Sequence, residues 1–96
     1  MKREQALNIL AAHKAKWVAE YGLTKLGVFG SVARDEAGAN SDVDVVIKMA
    51  VPDIFRLVSL REELVKALGA EVDLVQDHDH LRPFFKQRLQ RDAIYV

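Results

Sequence analysis

Hydrophobic residues recur along the chain at two different spacings, and the switch between them divides the chain into helices and strands. Apolar residues three and four positions apart predict an amphipathic helix from Arg3 to Tyr21, which Gly22 ends. A second helix is predicted to open at Pro52 and Asp53 and to close at Gly69. Its predicted core-facing stripe consists of Ile54, Leu57, Val58, Leu64, Val65 and Leu68.

Short runs rich in strand-forming residues interrupt the helical spacing and predict four strands. They cover residues 25–29, 41 or 42 to 47, 71–75 and 93–96. A short helix is predicted at 31–37, a loop at 38–41, and a last amphipathic helix at Leu81, Phe84, Phe85 and Leu89. This order predicts one α/β domain over residues 1–96, a small mixed β-sheet flanked by helices. The long crossover helix predicts that strands two and three are parallel, whereas strands one and two could lie either way.

The second predicted strand places two carboxylates on one face. Alternation puts Asp42 and Asp44 on the same side, about 6.6 Å apart at their Cα atoms, from two rises of about 3.3 Å. Their oxygens could therefore converge on a hard cation such as Mg²⁺. A solvated strand face is the alternative, but two unpaired carboxylates would be costly on a strand this apolar. The residues predicted to face the core are Val43, Val45 and Ile47.

The third predicted strand offers another carboxylate. Asp73 and Glu71 share one face of this strand, so either of them could join the earlier pair. Asp73 would complete a set that holds metal and takes the proton from an attacking hydroxyl. An exposed strand acid is the alternative interpretation of Asp73.

A glycine–serine turn follows the first predicted strand. Gly30 lets the backbone approach a phosphate closely, and Ser31 adds backbone N–H and hydroxyl donors at the start of a helix. These are the groups that a nucleoside triphosphate needs. The same dipeptide is also common in ordinary turns, so on its own it does not identify a nucleotide site.

Composition narrows the class of protein. Half of the residues are hydrophobic, and 14 basic residues balance 14 acidic ones, so direct binding to duplex nucleic acid is not expected. There is no cysteine and no apolar run long enough to span a bilayer. We therefore expect a soluble cytoplasmic protein. The loop with His78 and His80 is interpreted as solvated rather than as a metal site.

Taken together, Gly30-Ser31, ten intervening residues and Asp42-Val43-Asp44 resemble the signature of the polymerase-β-like nucleotidyltransferase superfamily. The stretch GSVARDEAGANSDVDVVI is especially similar to the minimal nucleotidyltransferase (MNT) antitoxins. The later segments EVDLV and LRPFFKQRLQRDAIYV are similar to the same family, so the resemblance covers nearly the whole chain. One departure is Asn40-Ser41 before Asp42, which leaves nucleotide contacts from that loop open.

The resemblance implies a role for each motif residue. Gly30 and Ser31 would hold the triphosphate, and Asp42 and Asp44 would bind two Mg²⁺ ions. Asp73 occupies the position of the third carboxylate and would share in metal binding and catalysis. A further basic position, Arg34, could touch phosphate, or it could form a surface ion pair with Asp35 or Glu36.

The resemblance also implies a reaction and a partner. Members of the family pair with a HEPN-domain toxin, a helical ribonuclease, and transfer AMP from ATP to a tyrosine on it. A hetero-oligomer with such a toxin is therefore expected. The alternative is a non-catalytic binding module that neutralises the toxin by occlusion. Transfer to a small molecule such as an antibiotic is a third interpretation, which the absence of a second substrate-binding domain disfavours.

Overall fold

The computed structural model describes residues 1–38 and 40–96. Its elements follow the predicted order: α1 (Arg3–Tyr21), β1 (Leu23–Phe29), α2 (Gly30–Ala33), β2 (Val43–Met49), α3 (Ile54–Leu68), β3 (Val72–Gln76), α4 (Pro83–Asp92) and β4 (Ile94–Tyr95). The predicted loop at 38–41 includes Ala39, which lies outside the described residues. Across the described ranges, no helix combines the length and hydrophobicity that crossing a bilayer requires.

The four strands form one mixed sheet in the order β3-β2-β1-β4. Strands β2 and β3 are parallel, which confirms the prediction from the crossover helix α3 between them. The pairing of β1 with β2 is antiparallel, which the hydrophobic pattern left open. The short β4 adds to the other edge of β1, also antiparallel.

The main core lies between one face of the sheet and helices α1 and α3. The predicted inward side of β2 is confirmed, because Val43, Val45 and Ile47 are fully buried there. Trp17 of α1 is also part of this core, as expected of an aromatic on an amphipathic helix. The opposite face carries a smaller cluster of Phe29, Val46 and Leu89, the last from α4. Helix α4 therefore covers the side of the sheet that α1 and α3 leave open.

Helix α2 is shorter than the predicted span of 31–37. It ends at Ala33, and Asp35 two residues later has a φ of 58°. A left-handed residue cannot continue a right-handed helix. The segment therefore makes one turn and leaves the sheet edge, which brings the chain back toward the start of β2.

Helix α3 has the predicted ends but a different buried stripe. The Asp53 side chain accepts hydrogen bonds from the backbone N–H groups of Phe55 and Arg56, at 2.9 and 3.3 Å. Gly69 closes the helix with a φ of 65°.

The prediction that Ile54 and Val58 face the core is wrong, since they are 68% and 55% exposed. At about 100° per residue, Val58 lies roughly 120° around the helix from the buried Leu64, whereas Leu60 lies within about 40° of it. Leu60 is fully buried instead and was missing from the predicted stripe.

This packing makes a direct prediction for α3. Leu60→Ala should lower the free energy of unfolding by about 2–5 kcal/mol, because it leaves a cavity in the core. Ile54→Ala removes a side chain of the same size from an exposed site and should cost less than about 1 kcal/mol. Urea unfolding of both variants measures the difference. Equal losses would contradict the orientation of α3 described here.

Candidate active site

Strand directions bring the motif residues to one edge of the sheet. Because β1 runs antiparallel to β2, the end of β1 meets the start of β2, and Phe29 is the register partner of Asp44. Because β2 and β3 are parallel, their starts also meet, and Asp44 is paired with Asp73. Gly30 follows Phe29 directly. The turn and two of the carboxylates therefore converge although they are far apart in sequence.

Three aspartates contribute charge to this edge. Asp42 is exposed in the residue before β2, Asp44 is half-buried within β2, and Asp73 is exposed on the neighbouring strand β3. Asp73 is the register partner of Asp44, and the negative charges of Asp73 and Asp42 both act on the Asp44 carboxyl. Glu71, which competed with Asp73 in the sequence, has its carboxylate 3.4 Å from the Arg61 guanidinium. Geometry therefore favours Asp73 as the neighbour of Asp44.

The Asp44 carboxyl is held in a setting that disfavours its charge. Burial raises its pKa above the ordinary value, and the negative charge of Asp73 adds to this effect. The Arg88 guanidinium opposes it, with Nη2 lying 3.7 Å from Oδ2 of Asp44. A group of carboxylates in this state gains from an additional cation.

Gly30 is fixed by its contact with Asp44. Its φ of 66° lies in the left-handed region, and a Cβ placed on it would collide with the Asp44 carboxylate. Only glycine allows this backbone to lie against this side chain. Ser31 follows it, half-buried, at the second position of α2. The structure thus places Gly30 of the predicted phosphate-binding turn directly against Asp44, with Ser31 next in the chain.

Arg34 is engaged by two carboxylates. Its Nε lies 3.1 Å from the Glu36 carboxylate, and this ion pair is one of the two considered from the sequence. Its Nη1 lies 2.6 Å from the carboxylate of Asp92 on α4. The side chain of Asp92 is 2% exposed and also binds Arg91. Hydrogen bonds from Arg91 and then Arg34 hold the pKa of Asp92 below its usual range. Arg34 therefore connects the segment after α2 to α4.

Arg88 is the residue at this site that sequence reasoning missed. It reaches Asp44 from α4, and its guanidinium carbon lies 5.2 Å from the ring centre of Phe29 and 5.7 Å from that of Phe84. Phe84, which marks the apolar side of the predicted last helix, is 64% exposed and therefore lies outside the core. The available signal was the four-residue spacing of Phe84 and Arg88, which places them on one face of α4.

The carboxylate oxygens at this edge fit a hard divalent cation whose remaining ligands come from a bound substrate. Carboxylate oxygens are the ligands that Mg²⁺ prefers. The burial of Asp44 and the neighbouring charge of Asp73 both disfavour its negative charge, so added positive charge would be favourable. Within residues 1–38 and 40–96, no three acidic, histidine or cysteine side chains by themselves form a group that could hold a metal ion. Mg²⁺ commonly takes one or two carboxylates and completes its shell with phosphate oxygens and water.

A glycine–serine turn packed against paired aspartates on a small mixed sheet points to the nucleotidyltransferases as the class of protein. A family model described as a nucleotidyltransferase domain matches residues 9–96. The chain belongs to this family and is, by that membership, an enzyme of nucleotidyl transfer.

Similar proteins specify the branch of the family. Protein adenylyltransferase MntA of Thermococcus cleftensis is 35% identical over 94 residues, which cover 97% of this chain and 94% of that protein. A solved minimal nucleotidyltransferase structure is 30% identical with a TM-score of 0.76, over 100% of this chain and 97% of the other. The fold prediction is thereby confirmed, as is the resemblance to the minimal nucleotidyltransferases.

A further structural neighbour shows the same fold within a complex. It is the structure of a tri-AMPylated Shewanella oneidensis HEPN toxin bound to an MNT antitoxin. The matched chain is 23% identical, with a TM-score of 0.66, over 95% of this chain and 70% of that one.

The contact between Gly30 and Asp44 predicts an unusually costly glycine substitution. Gly30→Ala should lower the free energy of unfolding by about 2 kcal/mol or more, because backbone strain adds to a collision with the carboxylate. Urea unfolding measures this loss.

Gly69→Ala is the matched control. Gly69 has nearly the same φ, 65°, and nothing lies within 4 Å of a Cβ placed there. Gly69→Ala should therefore lower the free energy of unfolding only through backbone strain, by about 1 kcal/mol. Equal losses at the two glycines would show that the Asp44 contact carries no energy.

The raised pKa of Asp44 predicts how stability changes with pH. The folded protein binds this proton at higher pH than the unfolded chain does, whose aspartates titrate near about 3.9. The contribution of Asp44 to stability therefore falls as pH rises through this window and stays lower above it. Asp44→Asn should remove the fall, so the variant gains stability relative to the unaltered protein as pH rises above the range in which an unfolded aspartate titrates. Urea unfolding of both proteins in the presence of a chelator measures this difference in stability. A stability advantage of Asp44→Asn that shrinks as pH rises would contradict the prediction.

Proposed function

We propose that this chain is a Mg²⁺-dependent protein adenylyltransferase that transfers AMP from ATP to a tyrosine of a HEPN toxin, as one minimal domain over residues 1–96. The observation that carries the proposal is the pairing of Asp44 with Asp73 directly beside Gly30. The adenylyltransferase designation of the Thermococcus relative supports the reaction. The AMP-modified HEPN toxin in complex with an MNT antitoxin supports the partner.

Each residue of the site has a role in this reaction. Gly30 and Ser31 bind the triphosphate through backbone N–H groups and the serine hydroxyl. Asp42 and Asp44 are the carboxylates that hold Mg²⁺, with Asp73 beside them. When bound, Mg²⁺ neutralises phosphate charge and stabilises the attacking and leaving oxygens of an in-line displacement.

The chemical step exchanges one phosphorus–oxygen bond for another. The tyrosine oxygen bonds to the α-phosphorus of ATP while the bond to the β-phosphate oxygen breaks, and pyrophosphate leaves. Asp73 accepts the phenolic proton, because it is an exposed carboxylate paired with Asp44 across the two strands and can face an incoming acceptor. In this proposal the acceptor tyrosine comes from the partner protein, as the AMP-modified HEPN toxin of the neighbouring complex suggests.

Occlusion of the toxin without catalysis is the second candidate. Its supporting observation is a row of exposed apolar side chains at the start of α3, which would suit a protein-binding surface. These side chains are Val51, Ile54, Phe55 and Val58. This surface is compatible with either function, so the two candidates differ in whether the aspartate site is used.

Intact mass of the HEPN partner tests the proposal. After incubation with this protein, ATP and Mg²⁺, the partner should gain the mass of one or more AMP units. Asp42→Ala/Asp44→Ala should abolish the gain, because the metal-binding carboxylates are lost. Replacing the modified tyrosine of the partner with phenylalanine should abolish it as well.

The same experiment separates the two candidates. A partner of unchanged mass, in a stable complex that blocks its ribonuclease activity, would overturn adenylylation and support occlusion. Retained toxin neutralisation by the double aspartate variant would support occlusion in the same way.

A further inference from the structure

Arg88 attracts Asp44 by charge and does not donate a hydrogen bond to it. The separation of Nη2 and Oδ2 is 3.7 Å, which is longer than a hydrogen bond. Within the described part of the chain, no hydrogen bond uses the donors of this guanidinium, although its side chain is only 28% exposed. An arginine has five N–H donors in a rigid fork. Arg88 therefore keeps donors for a further acceptor.

Two aromatic rings hold the guanidinium in place. Phe29 is the last residue of β1, directly before the turn, and Phe84 lies one helical turn before Arg88 on α4. Their ring centres are 5.2 and 5.7 Å from the guanidinium carbon, within the range of cation–π attraction. A planar fork held in this way loses little conformational entropy when it binds an anion.

The position of this fork relative to Gly30 indicates what the anion is. A Cβ placed on Gly30 would lie 3.3 Å from Nη2 of Arg88, so the guanidinium faces the turn that precedes Ser31. We infer that Arg88 is a phosphate-binding residue, which donates to an oxygen of the nucleoside triphosphate while its charge also faces Asp44. This inference rests on the proposed function, which places the triphosphate at Gly30 and Ser31. Arginine suits the task because its fork matches the oxygens of phosphate.

A purely structural role for Arg88 makes a different prediction. If it only neutralised Asp44, its loss would displace that carboxylate and weaken metal binding even when no nucleotide is present. If it binds phosphate, its loss weakens nucleotide binding, whereas metal binding alone is unchanged or tighter because a competing cation is gone.

Equilibrium binding to the full chain separates these roles. The ligands are a non-hydrolysable ATP analogue with Mg²⁺, followed by calorimetry, and Mn²⁺ alone, followed by electron paramagnetic resonance. Arg88→Gln should weaken analogue binding about tenfold or more, the loss expected of one hydrogen bond between charged groups. Arg88→Lys keeps the charge without the fork and should recover part of the loss. Mn²⁺ affinity should not fall in either variant.

Arg82→Gln is the matched control. Arg82 is an exposed arginine at the N-cap of the same helix, so its removal changes net charge equally. It should alter analogue affinity less than about twofold. Thermal unfolding of each variant confirms that it is folded, and Arg88→Lys serves if Arg88→Gln does not fold.

Three results would overturn the inference. They are analogue binding by Arg88→Gln equal to that of the unaltered protein, an equal loss in Arg82→Gln, and a loss of Mn²⁺ affinity as large as that of analogue affinity. If the unaltered protein binds no analogue, the proposed function fails and this inference fails with it. If the unaltered protein binds it and Arg88→Gln binds it equally, only the role of Arg88 is lost.

Discussion

The close approach of the Asp44 carboxylate to the backbone of Gly30 is the contact on which the site depends. It requires a left-handed glycine with no side chain at the end of β1 and a carboxylate on the facing position of β2. The antiparallel pairing of these strands provides that meeting. The parallel pairing of β2 and β3 then brings in Asp73. A sheet with either pairing reversed would place the same residues at opposite edges.

The negative charge at this edge of the sheet is balanced in part by helix α4. The carboxylates cluster where the strands begin, and burial makes the charge of Asp44 costly. Helix α4 packs on the face that α1 and α3 leave open, and it carries Arg88 to Asp44 and Asp92 to Arg34. The aspartate cluster therefore has counter-charge in the protein itself, and a metal with a nucleotide would add to it.

Local sequence was sufficient to predict the parts of the site that lie within one motif. Gly30, Asp42 and Asp44 were identified because a turn and an alternating strand follow from neighbouring residues. The glycines that end α1 and α3 were predictable for the same reason. Arg88 and the partnership of Arg34 with Asp92 were not, because they depend on which face of the sheet α4 covers. Helical periodicity shows that α4 has an apolar side and does not show where that side packs.

Helix α4 contacts both ends of α2. Arg88 lies near Gly30 at its start, and Asp92, one helical turn later, binds Arg34 at its end. A shift or rotation of the helix would therefore disturb both attachments at once. In terms of protein engineering, the residues that position the candidate site therefore extend into the last helix and to β4, which directly follows α4 and pairs with β1. A fusion or insertion joined at this end of the chain would act on the aspartate cluster as directly as a change in the motif itself.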